Sequence, residues 1–168
     1  MTKLIGVGVS ALLLTGCASM GTADAGLAND KLRPCAAAPH CVSSDASDAD
    51  HRIAPLAVSG EPNAAWAALK AQLATMPHVA IADEKDGYLH ATATSAVMQF
   101  VDDFEFALRP AAADGPATDE KNATGTKADG KTEIAMRSSS RIGYYDFNVN
   151  RARLESVRAA LQTNGVVK

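Results

Sequence analysis

The sequence predicts an α+β fold of two layers, with a mostly antiparallel, curved sheet packed by two helices. Three observations predict it. Two stretches carry apolar residues at helical spacing, several others alternate with period two, and an Asp-Gly pair marks a tight turn between two of the alternating runs. At 168 residues there is room for one domain and no second core.

Taken in order, Ile53–Val58 is a short apolar run that reads as an edge strand, because Pro55 would break an inner ladder. Pro62 stands at a favoured first-turn position and opens a helix. Trp66, Leu69, Leu73 and Met76 then share one face of it, and Pro77 ends it. Val79–Asp83 and Tyr88–Ser95 read as strands joined through Asp86-Gly87. Phe100–Leu108 is a further strand, with Phe100, Asp102, Phe104, Phe106 and Leu108 on one face. Val101, Asp103, Glu105 and Ala107 take the other.

Residues of about 110–131 carry no periodic apolar residue and read as a disordered insertion between two strands. Thr132–Arg141 resumes a strand, with Ile134, Met136, Ser138 and Ser140 on one face and Glu133, Arg137 and Arg141 on the opposite one. Gly143 suggests a bulge or turn. A last helix, about Val149–Leu161, aligns Leu154, Val157 and Leu161, with Asn148 or Asn150 as its expected cap.

The N-terminus reads differently. Lys3 is its only charge, Leu4–Leu14 is apolar, and Leu14-Thr15-Gly16-Cys17 follows. Eleven apolar residues are too few for a ~30 Å hydrocarbon core but suit an export signal. Leu-Thr-Gly-Cys matches the lipobox of bacterial lipoproteins. Residues 1–16 are therefore expected to be a signal peptide, Cys17 the acylated residue, and residues 17–34 a flexible tether ahead of a domain at 35–168. Ala18, in place of Asp, resembles the pattern sorted to the outer membrane of Gram-negative bacteria. The alternative is an ordinary signal peptide cut after a small residue such as Ala18 or Ala25.

The formal charge is −3, and without Lys3 it is −4, from 15 basic and 19 acidic side chains. Such a balance disfavours nucleic acid as a partner. With Cys17 acylated, Cys35 and Cys41 form an even pair that an oxidising compartment would join as a disulfide. His40 and His51 nearby raise a metal site as the alternative, although Cys-x₄-His-Cys-x₉-His has neither of the usual zinc spacings. No metal or cofactor is expected.

Two polar blocks stand out, Asp102-Asp103-Phe104-Glu105 and Arg137 through Arg153. If their strands pair, Asp103 and Glu105 share a face with Arg137 and Arg141, as ion pairs contributing about 0.2–1 kcal/mol each if exposed. Arg151 and Arg153 sit near a helix N-terminus, where the macrodipole disfavours cations, so Asp102, Asp103 or an anionic ligand is expected to compensate. At these residues the chain resembles the domain-of-unknown-function family 1499. The matching pieces are Cys35–Ser44, Tyr88–Ala91, Phe100–Phe106 and Arg137–Arg153, with its Arg-x-Gly-Tyr-x-Asp and Val-Asn-Arg-x-Arg words. They span about residues 35–161. The resemblance implies no particular reaction.

Three functions compete. One is an exported, lipid-anchored envelope protein that binds a small ligand or a periplasmic partner through Asp102, Asp103, Glu105, Arg137, Arg141, Tyr144, Asp146, Asn150 and Arg151, with arginine forks as donors. Another is a hydrolase using Asp102 or Asp103 with His90, although no nucleophile elbow, His-Glu-x-x-His or phosphate loop is present. The third is a structural or assembly accessory of the envelope.

Overall fold

The computed structural model describes residues 21–111 and 131–168. The signal segment, Cys17 and most of the insertion lie outside these residues. Ten elements follow in order: β1 (Leu27–Ala28), β2 (Lys31–Leu32), β3 (Cys41–Ser43), β4 (Leu56–Ala57), α1 (Pro62–Thr75), β5 (Val79–Lys85), β6 (Tyr88–Thr94), β7 (Val101–Pro110), β8 (Thr132–Ser140) and α2 (Val149–Thr163).

The main sheet runs β3-β8-β7-β6-β5, all antiparallel, and β4 pairs with the same edge of β8 as β3 does. The expected β5–β6 hairpin forms. Gly87, at φ +69°, makes the β5–β6 turn as a residue without Cβ can. β7 and β8 pair in register from Asp102↔Ser140 to Pro110↔Thr132. The alternation then decides the faces. Leu89, Ala91, Phe104, Phe106, Ile134 and Met136 turn to one side and bury against Leu69 and Leu73 of α1 and Leu154, Val157 and Leu161 of α2. Burying each large side chain contributes about 1.5–3 kcal/mol, so this layer is the main source of stability.

α1 has Pro62 at its start, as expected, but the buried centre of its face is Ala65, Leu69 and Leu73. Trp66 and Met76 only flank the core. α2 differs at its cap. Asn148 adopts a left-handed conformation (φ 63°) and its side chain caps nothing. Asp146 does so instead, accepting from the amides of Asn148 and Asn150 at 3.0 Å each. Asn150 is fully buried and cannot reach back as a cap.

The other correction is larger. Residues 21–34, expected to be a flexible tether, lie on the sheet face away from the helices. There β1 and β2 form a small hairpin, and Leu32 packs with Tyr88, Ala107 and Ala135. The domain therefore begins well before residue 35. Cys35 and Cys41 are joined as a disulfide just beyond this segment. Closing a seven-residue loop restricts the unfolded chain by roughly 2.4 kcal/mol in the chain-entropy account. Reduction, or Cys35→Ala with Cys41→Ala, is expected to lower unfolding stability by about 2 kcal/mol in urea denaturation. A thiol titration of the unfolded, unreduced protein should find neither cysteine free.

Candidate functional site

The strand alternation puts Tyr88 and His90 of β6, Asp103 and Glu105 of β7 and Arg137 and Ser139 of β8 on the face under the N-terminal segment. Glu105 of β7 sits directly opposite Arg137 of β8, and Arg137 Nη1 donates to Glu105 Oε2 at 2.7 Å. Both are buried, at 0 % and 2 % exposure. The second carboxylate oxygen accepts from Tyr88 Oη at 2.8 Å and from the Gly26 amide at 2.6 Å. Arg137 Nη1 also donates to the Asp24 carbonyl at 3.0 Å. The pair is thus not the exposed bridge that the strand pattern suggested, because residues 21–34 shield it from water. Burial and the neighbouring Glu105 charge together raise the Tyr88 pKa, so its hydroxyl stays a donor.

Asp103, one pair of residues along, is the second hub. Its Oδ1 lies 2.7 Å from His90 Nε2 and accepts from Arg141 Nη2 at 2.8 Å. Oδ2 accepts from Arg141 Nε at 2.9 Å, completing a bidentate fork. Burial alone would raise the Asp103 pKa, and the bonds from His90 and Arg141 outweigh it, holding the carboxyl below its usual value. The same carboxylate raises the Arg141 pKa.

A third knot went unanticipated. Arg109 donates to Asp45 at 2.6 and 3.0 Å and to Glu133 at 2.9 Å, while Asp45 also accepts from the Leu32 amide. Extending the strand alternation by one step would have paired Arg109 with Glu133. Nothing local in the sequence marked Asp45.

The remaining candidates lie on the helix side of the sheet. Arg153 donates to Asp102 at 2.8 Å and stands over the Phe104 ring, so Asp102 is the compensation expected for a cation near a helix start. Arg151 takes another route, donating to the carbonyls of Arg52 and Asp50 at 2.8 and 2.9 Å. Asn150 binds Ser138 Oγ, Ser140 Oγ, Asp146 and the His40 carbonyl. Tyr144 joins none of these groups and is 73 % exposed. The hydrolase pairing is therefore split: Asp103 reaches His90, whereas Asp102 lies on the opposite face of the sheet with Arg153. Among the described residues no serine is hydrogen-bonded to His90, and no cluster of three or more His, Cys, Asp or Glu side chains is arranged to hold a metal.

A recess opens on the covered face beside the Asp103 and Arg137 hubs. A cleft of about 180 Å³ lies between Thr22 and Asp24 on one side and His40, Arg137, Ser139, Ser140 and Arg141 on the other. Two buried nitrogens of its lining residues have no hydrogen-bond partner among the described residues, His40 Nδ1 and Arg137 Nε. Buried polar atoms are nearly always paired, so each such atom calls for a partner. His40 had been weighed only as a metal ligand, and its role here had no local signal.

Removing one member of a buried ion pair leaves the other charged and unsolvated. Glu105→Ala is expected to cost about 3–5 kcal/mol in urea unfolding. A Glu105→Leu/Arg137→Met double variant should recover most of that loss, and an equally damaged double variant would contradict this account. Asp103 titrates lower when folded than unfolded, so its stabilisation is complete above its ordinary pKa of 3.8 and disappears as the pH falls through the folded value. Melting temperatures followed downward from neutral pH should therefore drop less steeply in Asp103→Asn than in the parent over that acid range.

Comparison with known proteins places most of the described residues in one family. The model of a family described as "Protein of unknown function (DUF1499)" matches residues 31–161. No curated protein and no solved structure matches the chain. The matched span runs from β2 through most of α2 and takes in the disulfide loop, both buried ion pairs and the Asp146 cap. The chain belongs to the DUF1499 family.

Proposed function

We propose that this is an exported, lipid-anchored envelope protein whose domain holds one end of a small ligand in the cleft beside His40 and Arg137. The unpartnered His40 Nδ1 and Arg137 Nε, both buried and both on residues lining that cleft, carry this reading. Arg137 keeps Nε free while its outer nitrogens hold Glu105 and Asp24, so it offers a fixed donor at no cost in side-chain order. Ser139 Oγ makes only one long contact, 3.5 Å to the Ser140 carbonyl, and is available as a further group.

Charge and size narrow the ligand. Arg137 and Arg141 are already matched by Glu105 and Asp103, and Asp24 adds a negative charge at the rim. A polyanion therefore gains little here. A single carboxylate, or a neutral group rich in acceptors, suits the donors better. At ~30 Å³ per water, the cleft has the volume of roughly six waters, room for a terminal group but not for a whole metabolite.

Protein extracted from membranes is expected to carry a small molecule detectable by mass spectrometry after denaturation. His40→Ala and Ser139→Ala, which leave both buried ion pairs intact, should lose it. Acetate added to the stripped parent should raise its melting temperature in a saturable way, and in His40→Ala less so. Equal masses from parent and variants, with no response to acetate, would exclude the cleft as the site.

A further inference from the structure

Eight of the ten large apolar side chains exposed among the described residues lie on two loops. Val97, Met98 and Phe100 belong to the β6–β7 turn, and Ile142, Tyr144, Tyr145, Phe147 and Val149 to the stretch leading from β8 into α2. The loops leave neighbouring strands at the same end of the sheet, where the Arg141 amide donates to the Val101 carbonyl at 3.1 Å. Val97, Phe147, Tyr144 and Met98 are the most exposed, at 87, 82, 73 and 63 %, and the other four are about half-covered beside them. Exposed apolar groups gathered in one place mark an interaction surface.

The backbone is held to this presentation. Gln99, Phe147 and Asn148 all have positive φ, at 56°, 55° and 63°. For a bulky residue such as phenylalanine this is an unfavourable conformation, maintained only where its surroundings impose it. Here it does not serve to bury the ring, which stacks edge-on with Tyr145 at 5.2 Å and otherwise faces outward. Charge is missing from both loops except at Asp146, and that carboxylate is taken up by the start of α2.

The position of the N-terminal segment says what covers the patch. Gly21 lies against Arg141 and Ile142 so closely that a side chain on it would meet the Arg141 carbonyl at 2.9 Å. Gly21, four residues after Cys17 in the sequence, thus lies at the apolar end of the sheet. Four residues reach at most about 14 Å. A lipid on Cys17 would therefore hold this end, and no other, at the bilayer surface.

We infer that the Val97–Phe100 and Ile142–Val149 loops dock into the interfacial region of the membrane that the lipid anchor enters. Tyrosines and phenylalanines are side chains that partition into that region, and the Asp146 charge between them is held by the start of α2. The inference rests on the anchor in the proposed function and is independent of the cleft.

The test uses the full chain purified from membranes and reconstituted into phosphatidylethanolamine–phosphatidylglycerol vesicles with brominated acyl chains. Trp66, the only tryptophan, lies by the β5–β6 turn at the opposite end and serves as an internal reference. Its emission should ignore bromine. Tyr144→Trp and, separately, Phe147→Trp should add emission that bromine removes by about half or more, as expected for a ring at the acyl boundary. An acylated chain in which both new reporters are as insensitive as Trp66 overturns the docking while leaving the anchor standing. An intact mass without acyl chains on Cys17 overturns the anchor and the docking together. Blue-shifted emission that bromine does not reach would put a protein on the patch, a second copy included, and would also overturn it.

Discussion

Among the described residues Arg137 is the largest fully buried side chain, and the far face of the sheet is organised by the need to neutralise it. Taking a guanidinium and a carboxylate out of water costs several kcal/mol each, repaid only when the remaining donors and lone pairs find partners. Glu105 meets that condition with Arg137, Tyr88 and the Gly26 amide. Those partners come from β6, β8 and the N-terminal segment, so one carboxylate ties three separate parts of the chain together. Replacing the pair by apolar side chains need not weaken the fold. It would remove the feature that selects where residues 21–34 come to rest.

Much of this was legible from the alternation of the strands. Asp103, Glu105, Arg137 and Arg141 were assigned to one face and Phe104, Phe106, Ile134 and Met136 to the other, and the β7–β8 register matches. Period-two patterning is a strong signal when one face packs helices, since a one-residue slip would bury every charge in the core. The depth of the ion pairs was not legible. It depends on a cover made of small and polar residues, Gly21 to Arg33, whose composition is that of a linker. Such a segment docks through backbone groups, as Gly26 and Asp24 do, and backbone groups leave no mark in a side-chain pattern.

The start of α2 was misread for a related reason. Asn148 stands where a cap belongs, but its left-handed backbone turns the side chain away and Asp146 reaches over it to the helix amides. Asn150, the second residue of α2, is instead the link between α2, β8 and the disulfide loop through Ser138, Ser140 and the His40 carbonyl. His40 therefore has its carbonyl fixed by the fold while its ring nitrogen is left over at the cleft. The cleft and the apolar loops share one end of the sheet. Any ligand entering beside His40 would do so close to the surface on which those loops present their side chains.

The Glu105 knot also sets an order of events during synthesis. Gly26 waits for a partner 79 positions later, and the Asp24 carbonyl for one 113 positions later. Contacts across such separations form late, after most of the intervening chain has been ordered. Residues 21–34, which precede every strand of the main sheet, are thus the last to find their seat. Until β8 arrives, Asp24 and Gly26 have no buried charge to meet, and residues 21–34 stay open to solvent. Once Arg137 and Glu105 face each other, that cover closes over them.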